Sequence, residues 1–378
     1  MPGGWQRPQT PRHNRLGETM ADSVIPTPAT ISADWLTAQL RRGGYPGATV
    51  RGFTAERIGT GQIGLCLRFS LDVSGTPDAP RTLVGKFPSD DPTSRQTGVA
   101  LRNYLKEVSF YQTLQSRLAI PTPRCFFAEI VGEGPEFALL LEDLAPARQG
   151  DQLAGCTPDV ARAALQALAG LHAPSWNNPA FRGIGWIGEP DPEGRAQTRA
   201  LYQTLLPGFL DRYGARLAAD EIEILSAVGA SAVGPLFAGL DDPWSLVHVD
   251  YRLDNLLIDS SGEAPRVAVV DWQSITLGNP LADVAYFLGA GLLPDVRRPA
   301  ESELVRAYHA ALQARGITNY DWDRCWTDYR RGAFAGFGVT VIASMLVQQT
   351  ARGDEMFIAM ARRHSRHALD LGASEFLA

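Results

Sequence analysis

The chain has 378 residues, 45% of them hydrophobic and 20% charged, with a formal net charge of −6 at pH 7. That length leaves room for two lobes with ample cores, and the composition is that of an ordinary soluble globular enzyme. The acidic balance argues against a nucleic-acid partner gripped through its phosphates.

Residues 1–20 are rich in Pro, Gly and Arg and lack the apolar stretch of a signal peptide. They read as the front of a disordered or loosely ordered tail over 1–28, and Met20 is a candidate start. Cys66, Cys125, Cys156 and Cys325 are scattered without metal-ligand spacing, as expected for reduced thiols of a cytoplasmic protein. Lysine occurs only at Lys86 and Lys106, and every other cationic side chain is arginine. A retained lysine marks a candidate site for a compact ammonium rather than a planar fork.

In chain order, Ile31 to Leu40 has the spacing of a short amphipathic helix, with Trp35, Leu36 and Leu40 toward a core. Gly59, Gly61 and Gly64 then form G-x-G-x-x-G. A Rossmann or Walker loop would open a helix, whereas here Leu65, Leu67, Phe69, Leu71 and Val73 alternate with polar residues as in a strand. Glycines between two antiparallel strands permit close backbone approach to phosphates; a plain flexible hairpin is the competing reading. Thr82 to Phe87 is a further strand carrying Lys86. A helix is expected from about Thr97 to Leu118, weakened at its start by Gly98 and Asn103. Glu107 sits mid-helix, where it could hold the lysine, face solvent, or pair with Arg102 or Lys106.

Phe126 to Ile130 and Phe137 to Leu141 read as strands, the second running into a polar connector, Glu142-Asp143-Leu144. Its position suits a hinge whose backbone groups, at Glu142 and Leu144, receive an adenine edge. From about Thr157 the pattern is helical, with Val160, Ala164, Leu165, Leu168 and Leu171 on one face, and His172 reads as a structural helix-end histidine. Helices over roughly 195–215 and 219–230 follow, and residues 283–378 are almost wholly helical. Within them Ala333 to Val347 is too short to span a bilayer comfortably, so a buried helix and no membrane partner are expected. The expected class is α+β: a small β-rich lobe with one main helix over 29–143, then a larger, mostly helical lobe over 144–378.

The most specific signal is His248-Val249-Asp250-Tyr251-Arg252-Leu253-Asp254-Asn255, followed by Val270-Asp271-Trp272. Leu256 to Asp259 and Val267 to Val270 flank a turn-rich loop, which is a hairpin pattern. Antiparallel pairing brings the start of one strand beside the end of the other, so Asn255 and Asp271 should meet at one end. Asp250 lies five residues upstream. Two carboxylates and an amide oxygen there suit a hard divalent cation that bridges phosphates. Plain turn chemistry would explain one such loop, but not the whole spaced set.

Taken together, Gly59-Gly61-Gly64, Lys86, Glu107, the Glu142–Leu144 hinge, His248-x-Asp250-x4-Asn255 and Asp271 resemble the two-lobed protein-kinase-like fold. Within it the set is most similar to the aminoglycoside phosphotransferase and choline/ecdysteroid kinase-like family. A protein kinase would carry Asp-Phe-Gly and Ala-Pro-Glu; this chain has Asp271-Trp272-Gln273 and Gly278-Asn279-Pro280-Leu281-Ala282-Asp283, similar to the small-molecule enzymes. The resemblance implies an ATP- or GTP-dependent kinase acting on a hydroxyl of a small molecule. It implies that Lys86, held by Glu107, contacts the α/β-phosphates beneath the glycine loop. Asn255 and Asp271 would bind Mg²⁺, Asp250 would act as the base, and Arg252 would reach the transferring phosphate. His248 would brace the loop, and Asp283 would cap a helix or support the catalytic loop. Val249 departs from the family, which usually has Gly there, so its backbone must tolerate a β-branched side chain. Acceptor specificity is expected near Tyr320–Asp323 and Trp326–Tyr329, although Trp322, Trp326 and Tyr329 also have the spacing of a core stripe. Aminoglycoside or choline-like cations and a non-catalytic, nucleotide-binding pseudokinase are the rival readings.

Overall fold

The computed structural model describes residues 25–59, 63–189, 191–231 and 239–377. The chain divides into two compact units, one containing the chain up to Arg117 together with Pro123–Asp143, the other Leu118–Thr122 with Leu144 onward. Leu118–Thr122, within the span expected for the first lobe, thus groups with the second. Of the expected tail, residues 1–24 lie outside the described residues, while Ile25 packs against the first unit's core.

The first unit opens with α1 (Ala33–Arg42), whose N-terminus is capped by the Ser32 hydroxyl accepting from the Trp35 N–H. Its buried Leu36 and Leu40 face a five-stranded antiparallel sheet. The strands are β1 (Thr49–Ile58), β2 (Gly64–Ser74), β3 (Thr82–Pro88), β4 (Cys125–Ile130) and β5 (Phe137–Glu142), in the order β1-β2-β3-β5-β4. The period-2 pattern of β2 places Leu65, Phe69, Leu71 and Val73 in the core.

The single helix expected over 97–118 is broken. It is two helices, α2 (Pro92–Ala100) and α3 (Asn103–Ser109), followed by a π turn over Phe110–Leu114. Arg102, at φ 57°, turns the chain between them in the left-handed region. Gly98 packs against the Tyr104 ring so closely that a Cβ would collide with it. This contact brings α2 back against α3 and needs the break.

In the second unit, β6 (Arg148–Gln149) and β7 (Ser245–Val247) are too short to carry a sequence signal. Helices α4 (Pro158–Ser175), α5 (Pro192–Tyr213) and α6 (Ala219–Ala230) lie between them. The expected hairpin is β8 (Leu256–Asp259) and β9 (Arg266–Val269), paired Leu256 to Val269 through Asp259 to Arg266. Strand β6 joins β8, and β10 (Thr276–Gly278) joins β7. Next, α7 (Pro280–Gly291) is capped by Asn279 and starts three residues earlier than expected, with Pro280 in its first turn. Its sequence is apolar on every side and the helix is buried nearly all round.

The chain then forms α8 (Pro294–Gln313), α9 (Trp322–Gly332), α10 (Ala335–Gly338), α11 (Ser344–Leu346) and α12 (Ala351–Asp370). The buried helix expected over 333–347 is interrupted by a π turn at Val339–Ala343, and Leu346 is exposed. No helix among the described residues is long and apolar enough to cross a membrane. No disulfide joins the four cysteines among the described residues, and burial pushes the Cys125, Cys156 and Cys325 thiols up to about 12.

Helix α12 packs on α7 and α10 through glycines. A Cβ at Gly336 would collide with the His364 ring, and one at Gly289 with the His367 ring. Burial, with His367, Arg363 and Arg297 nearby, holds the His364 imidazole down to about 3. Its folded value is below its unfolded one, so below about pH 6.5 the unfolded chain takes up a proton that the folded chain refuses. Stability should therefore fall from near pH 6.5 toward pH 3, by up to about 1.4 kcal/mol per pH unit from this group. Denaturant midpoints for wild type and His364→Phe between pH 7 and 4.5 check this; an unchanged slope in the variant would contradict it.

Candidate active site

In the first unit, the alternation of β3 buries Leu83 and Phe87 and sends the Lys86 side chain, 14% exposed, to the other face. Its Nζ lies 2.7 and 2.6 Å from Glu107 Oε1 and Oε2, and the Glu107 side chain is only 3% exposed. Glu107 pairs with Lys86 and is buried, so a solvent-facing role does not describe it. Gly64 stands opposite Pro88 on β3, and a Cβ there would lie 3.1 Å from Lys86 Cε. Glycine therefore leaves the lysine its room. Gly59 has φ +72°, a conformation glycine adopts without strain. Gly61 lies outside the described residues. The Tyr104 hydroxyl donates to the Ile63 carbonyl at 2.7 Å, tying the end of the glycine loop to α3.

At the connector, the Glu142 N–H donates to the Arg124 carbonyl and its carboxylate accepts from the Arg124 N–H. Asp143 is held by Arg68 of β2 at 2.7 Å. The Leu144 carbonyl already accepts from the Ala147 N–H at 3.0 Å.

In the second unit, the His248–Asn255 segment leaves β7 and turns sharply. Val249 has φ +72°, the left-handed conformation in which a β-branched residue is strained. The Asp283 carboxylate of α7 holds this turn, accepting from the His248 N–H at 2.6 Å and the Val249 N–H at 2.9 Å. Asn279 caps the helix, so Asp283 is a support for the loop. His172 lies on α4 with Nδ1 2.7 Å from the Tyr308 hydroxyl and Nε2 3.4 Å from Asp283, a buried structural position. His248 braces the hairpin, its Nε2 3.1 Å from the Val270 carbonyl. Replacing Val249 by glycine should relieve the strain and raise stability by about 1 kcal/mol, less the entropy glycine adds to the unfolded chain. Urea unfolding measures it, and a clear loss of stability would contradict the strain argument.

The Asp250 carboxylate is held by donors on every side. Oδ1 accepts from the Tyr286 hydroxyl at 2.8 Å and the Arg252 Nε–H at 3.0 Å. Oδ2 accepts from the Asn255 amide at 2.9 Å and lies 3.1 Å from the same Arg252 nitrogen. Burial alone would raise this carboxyl; the Arg252 guanidinium and the Tyr286 hydroxyl outweigh it and leave the group below the usual carboxylate range. It is therefore ionised at neutral pH. Arg252 is not extended toward an open position. It spans Asp250 and, at 2.6 Å, Asp254, with Met356 Sδ 3.1 Å away.

The hairpin register brings Asn255 and Asp271 to one end. The Val270 N–H donates to the Asn255 carbonyl at 3.0 Å, directly beyond the Leu256–Val269 pair, and Asp271 is the next residue. Asp271 sits at φ 68° with its Oδ2 accepting from the Gln273 amide at 2.9 Å. Asn255 spends its amide nitrogen on the Asp250 carbonyl and carboxylate, which turns its side-chain oxygen the other way. An amide oxygen and a carboxylate at a hairpin end are the donor set a magnesium ion takes from protein when phosphates supply the rest. Among the described residues no group of three or more His, Cys, Asp or Glu forms an all-protein metal cage.

Several supporting residues escape sequence reading. The Gln152 side chain accepts from the Leu253 N–H and donates to the Ala290 carbonyl. Asp254 accepts from Arg352 of α12 as well as Arg252. Tyr286 shares one face of α7 with Asp283 at i, i+3, but that spacing by itself does not point to Asp250. In the aromatic stripe, Tyr329 is fully buried and bonded to Glu301 and His367, as expected for a core position. Trp322 stacks on Trp326 at 5.5 Å and is covered by the Arg306 guanidinium at 3.8 Å.

The "Acyl-CoA dehydrogenase family member 10" of Mus musculus is 47% identical over 114 residues, covering 26% of this chain and 11% of that protein. The "Acyl-CoA dehydrogenase family member 11" of Gallus gallus is 48% identical over 94 residues, covering 21% of this chain and 12% of that protein. The matched segments thus span only about a tenth of these curated relatives. Among solved structures, choline kinase from Cryptosporidium parvum aligns with a TM-score of 0.51 at 10% identity, over 85% of this chain and 89% of that one. The ethanolamine kinase of Plasmodium vivax gives 0.50 at 10% identity, over 85% and 83%. At such identity these likenesses concern the fold, which is protein-kinase-like. The family model described as "Phosphotransferase enzyme family" matches residues 75–326. That span is more than half of the chain and holds Lys86, Glu107, Asp250, Asn255, Asp271 and Asp283, and with it the chain belongs to the phosphotransferase enzyme family.

Proposed function

We propose that the protein moves the γ-phosphate of ATP, or of GTP, to a hydroxyl of a small molecule, with Asp250 as the base. The observation that carries this reading is the Asp250 carboxylate, ionised and fixed beside Asn255 at the hairpin end that also carries Asp271. Asp250 orients the acceptor hydroxyl and takes its proton as the new O–P bond forms and the β–γ bridging bond breaks. Lys86, held straight by Glu107, contacts the α/β-phosphates, with Gly59, Gly61 and Gly64 covering the nucleotide. Asn255 and Asp271 would hold Mg²⁺, which when bound offsets the charge of the phosphate oxygens. Glu142 and Leu144 remain proposed backbone contacts for the base, with the Leu144 N–H the group to test since its carbonyl is engaged. Arg252 must exchange Asp250 or Asp254 for phosphate if it is to touch the transferring group.

The formed Lys86–Glu107 pair and the assembled loop favour a working enzyme over a nucleotide-binding pseudokinase. A finer reading, a hydroxyacyl acceptor, draws on the local identity to proteins named acyl-CoA dehydrogenase family members. Arg252 and Arg352, which bracket Asp254, also make a poor setting for a polycationic antibiotic. A transfer screen with radiolabelled ATP, magnesium and separate sets of hydroxyacyl compounds, choline-like amines and aminoglycosides tests this. Label transferred to hydroxyacyl compounds supports the finer reading, and transfer only to cations replaces it. Nucleotide binding without transfer to any set would restore the pseudokinase.

A further inference from the structure

Among the described residues, the side-chain hydrogen bonds to Asp250 are of two kinds. Arg252 and Asn255 donate from two and five residues away, on the same loop, so they travel with it. The Tyr286 hydroxyl donates from 36 residues away, from the middle of α7. That helix is buried nearly all round, and Tyr286 itself is 1% exposed. Behind the phenol ring stands the His364 imidazole of α12, centroids 5.2 Å apart and planes tilted by 32°. His364 is fully enclosed, and among the described residues neither ring nitrogen has a hydrogen-bond partner, so it acts here as a flat wall against the ring.

The same helix holds the loop at a second point. Asp283 and Tyr286 are three residues apart and therefore on one face of α7. Asp283 fixes the backbone at His248 and Val249, and Tyr286 fixes the carboxylate that follows. A buried phenol beside a carboxylate keeps its proton, and burial together with Asp250 raises Tyr286 well above its ordinary value. It is accordingly a permanent donor, unable to take the acceptor's proton in place of Asp250.

We propose that Tyr286 is a positioning residue of the phosphoryl transfer: its hydroxyl, delivered from the rigid helix α7 and backed by His364, sets the orientation of the Asp250 carboxylate toward the acceptor oxygen. The inference rests on Asp250 being the base and adds what aims it. Without that bond the carboxylate is held only by residues of its own loop and can rotate about its terminal torsion, which is broad for Asp. Misaiming a catalytic group by an ångström or so costs about a hundredfold in rate.

The test uses the full chain, with MgATP and water as the acceptor, so that no unidentified substrate is needed. Tyr286→Phe removes one oxygen and keeps the ring against His364. ADP release should show kcat lowered roughly ten- to a hundredfold with KM for MgATP within about twofold of wild type. Crystal structures of both proteins should show the Asp250 carboxylate rotated or split between orientations in the variant. Incorporating 3-fluorotyrosine at position 286 restores the donor and should restore kcat, which separates aim from packing.

An unchanged kcat, or an Asp250 carboxylate in its wild-type orientation, would overturn the proposal. So would kcat and KM moving together with a large drop in melting temperature that 3-fluorotyrosine does not rescue. A wild type that neither binds nor hydrolyses MgATP refutes the kinase reading instead. The two crystal structures then decide only whether Tyr286 sets the orientation of the Asp250 carboxylate, and the positioning role in phosphoryl transfer falls with the kinase reading. Should Tyr286→Phe not fold, the wild-type chain carrying 3-fluorotyrosine supplies the readout. A fluorine signal shifted by Asp250→Asn supports the contact, and one indifferent to it refutes the contact.

Discussion

Replacing Asp250 by alanine should lower phosphorylation of the acceptor by about 10²–10⁴-fold, the usual worth of a positioned general base. The nucleotide should still bind with near wild-type affinity, because the proposed metal ligands are Asn255 and Asp271. The change removes the acceptor shared by Arg252, Asn255 and Tyr286, so part of any loss could come from a slackened loop. Asp250→Asn separates the two effects. It keeps the shape and one acceptor oxygen but supplies an amide that cannot accept a proton at neutral pH, and it should be nearly as inactive while disturbing the loop less than alanine does. Initial rates for the three proteins, with circular dichroism to confirm folding, decide the matter. Wild-type turnover in either variant would remove Asp250 from the chemistry.

Replacing Asp271 by alanine should weaken nucleotide binding when magnesium is present and leave metal-free ATP binding unaltered. Changes to residues that merely orient a metal ligand commonly cost 10–100-fold, so loss of a direct carboxylate ligand should exceed about a hundredfold in affinity for the MgATP complex. Asp271 follows β9 in a left-handed conformation, which alanine tolerates poorly. Asp271→Asn, which holds that conformation more readily, is therefore the paired control. Calorimetry with and without magnesium reads the effect. Equal affinities for MgATP in wild type and both variants would exclude Asp271 as the metal ligand.

How much of this was legible in the sequence depends on how local the determinant is. The β8–β9 hairpin was readable because its two apolar runs flank a turn-rich loop, and its register then fixed Asn255 and Asp271 together without further information. Lys86 stood out because only one other lysine competes with it, but its union with Glu107 came from family resemblance, since the two are 21 residues apart. Gly98 and Asn103 marked a weak start to that helix, but the break at Arg102 was not readable because it is set by Tyr104 packing on Gly98, a contact between two helices that periodicity reads as one. Strands β6 and β7, of two and three residues, exist only through their partners. Tyr286 lies in an all-round apolar helix, where a phenol reads as another core ring, and only tertiary placement shows its hydroxyl on Asp250. Arg252 was expected to reach toward phosphate and instead spans two carboxylates, a choice made by neighbours on its own loop. Val249 was flagged as a departure from glycine, and its φ of +72° is a conformation that glycine adopts freely and a β-branched residue only with strain.

Titration calorimetry of ATP into the wild-type chain, once with magnesium and once with a chelator, bears most directly on the phosphoryl-transfer reading. Saturable binding that strengthens many-fold with the metal, and loses that gain in Asp271→Ala, is the expected result. Binding indifferent to magnesium, or no nucleotide binding at all, would contradict it.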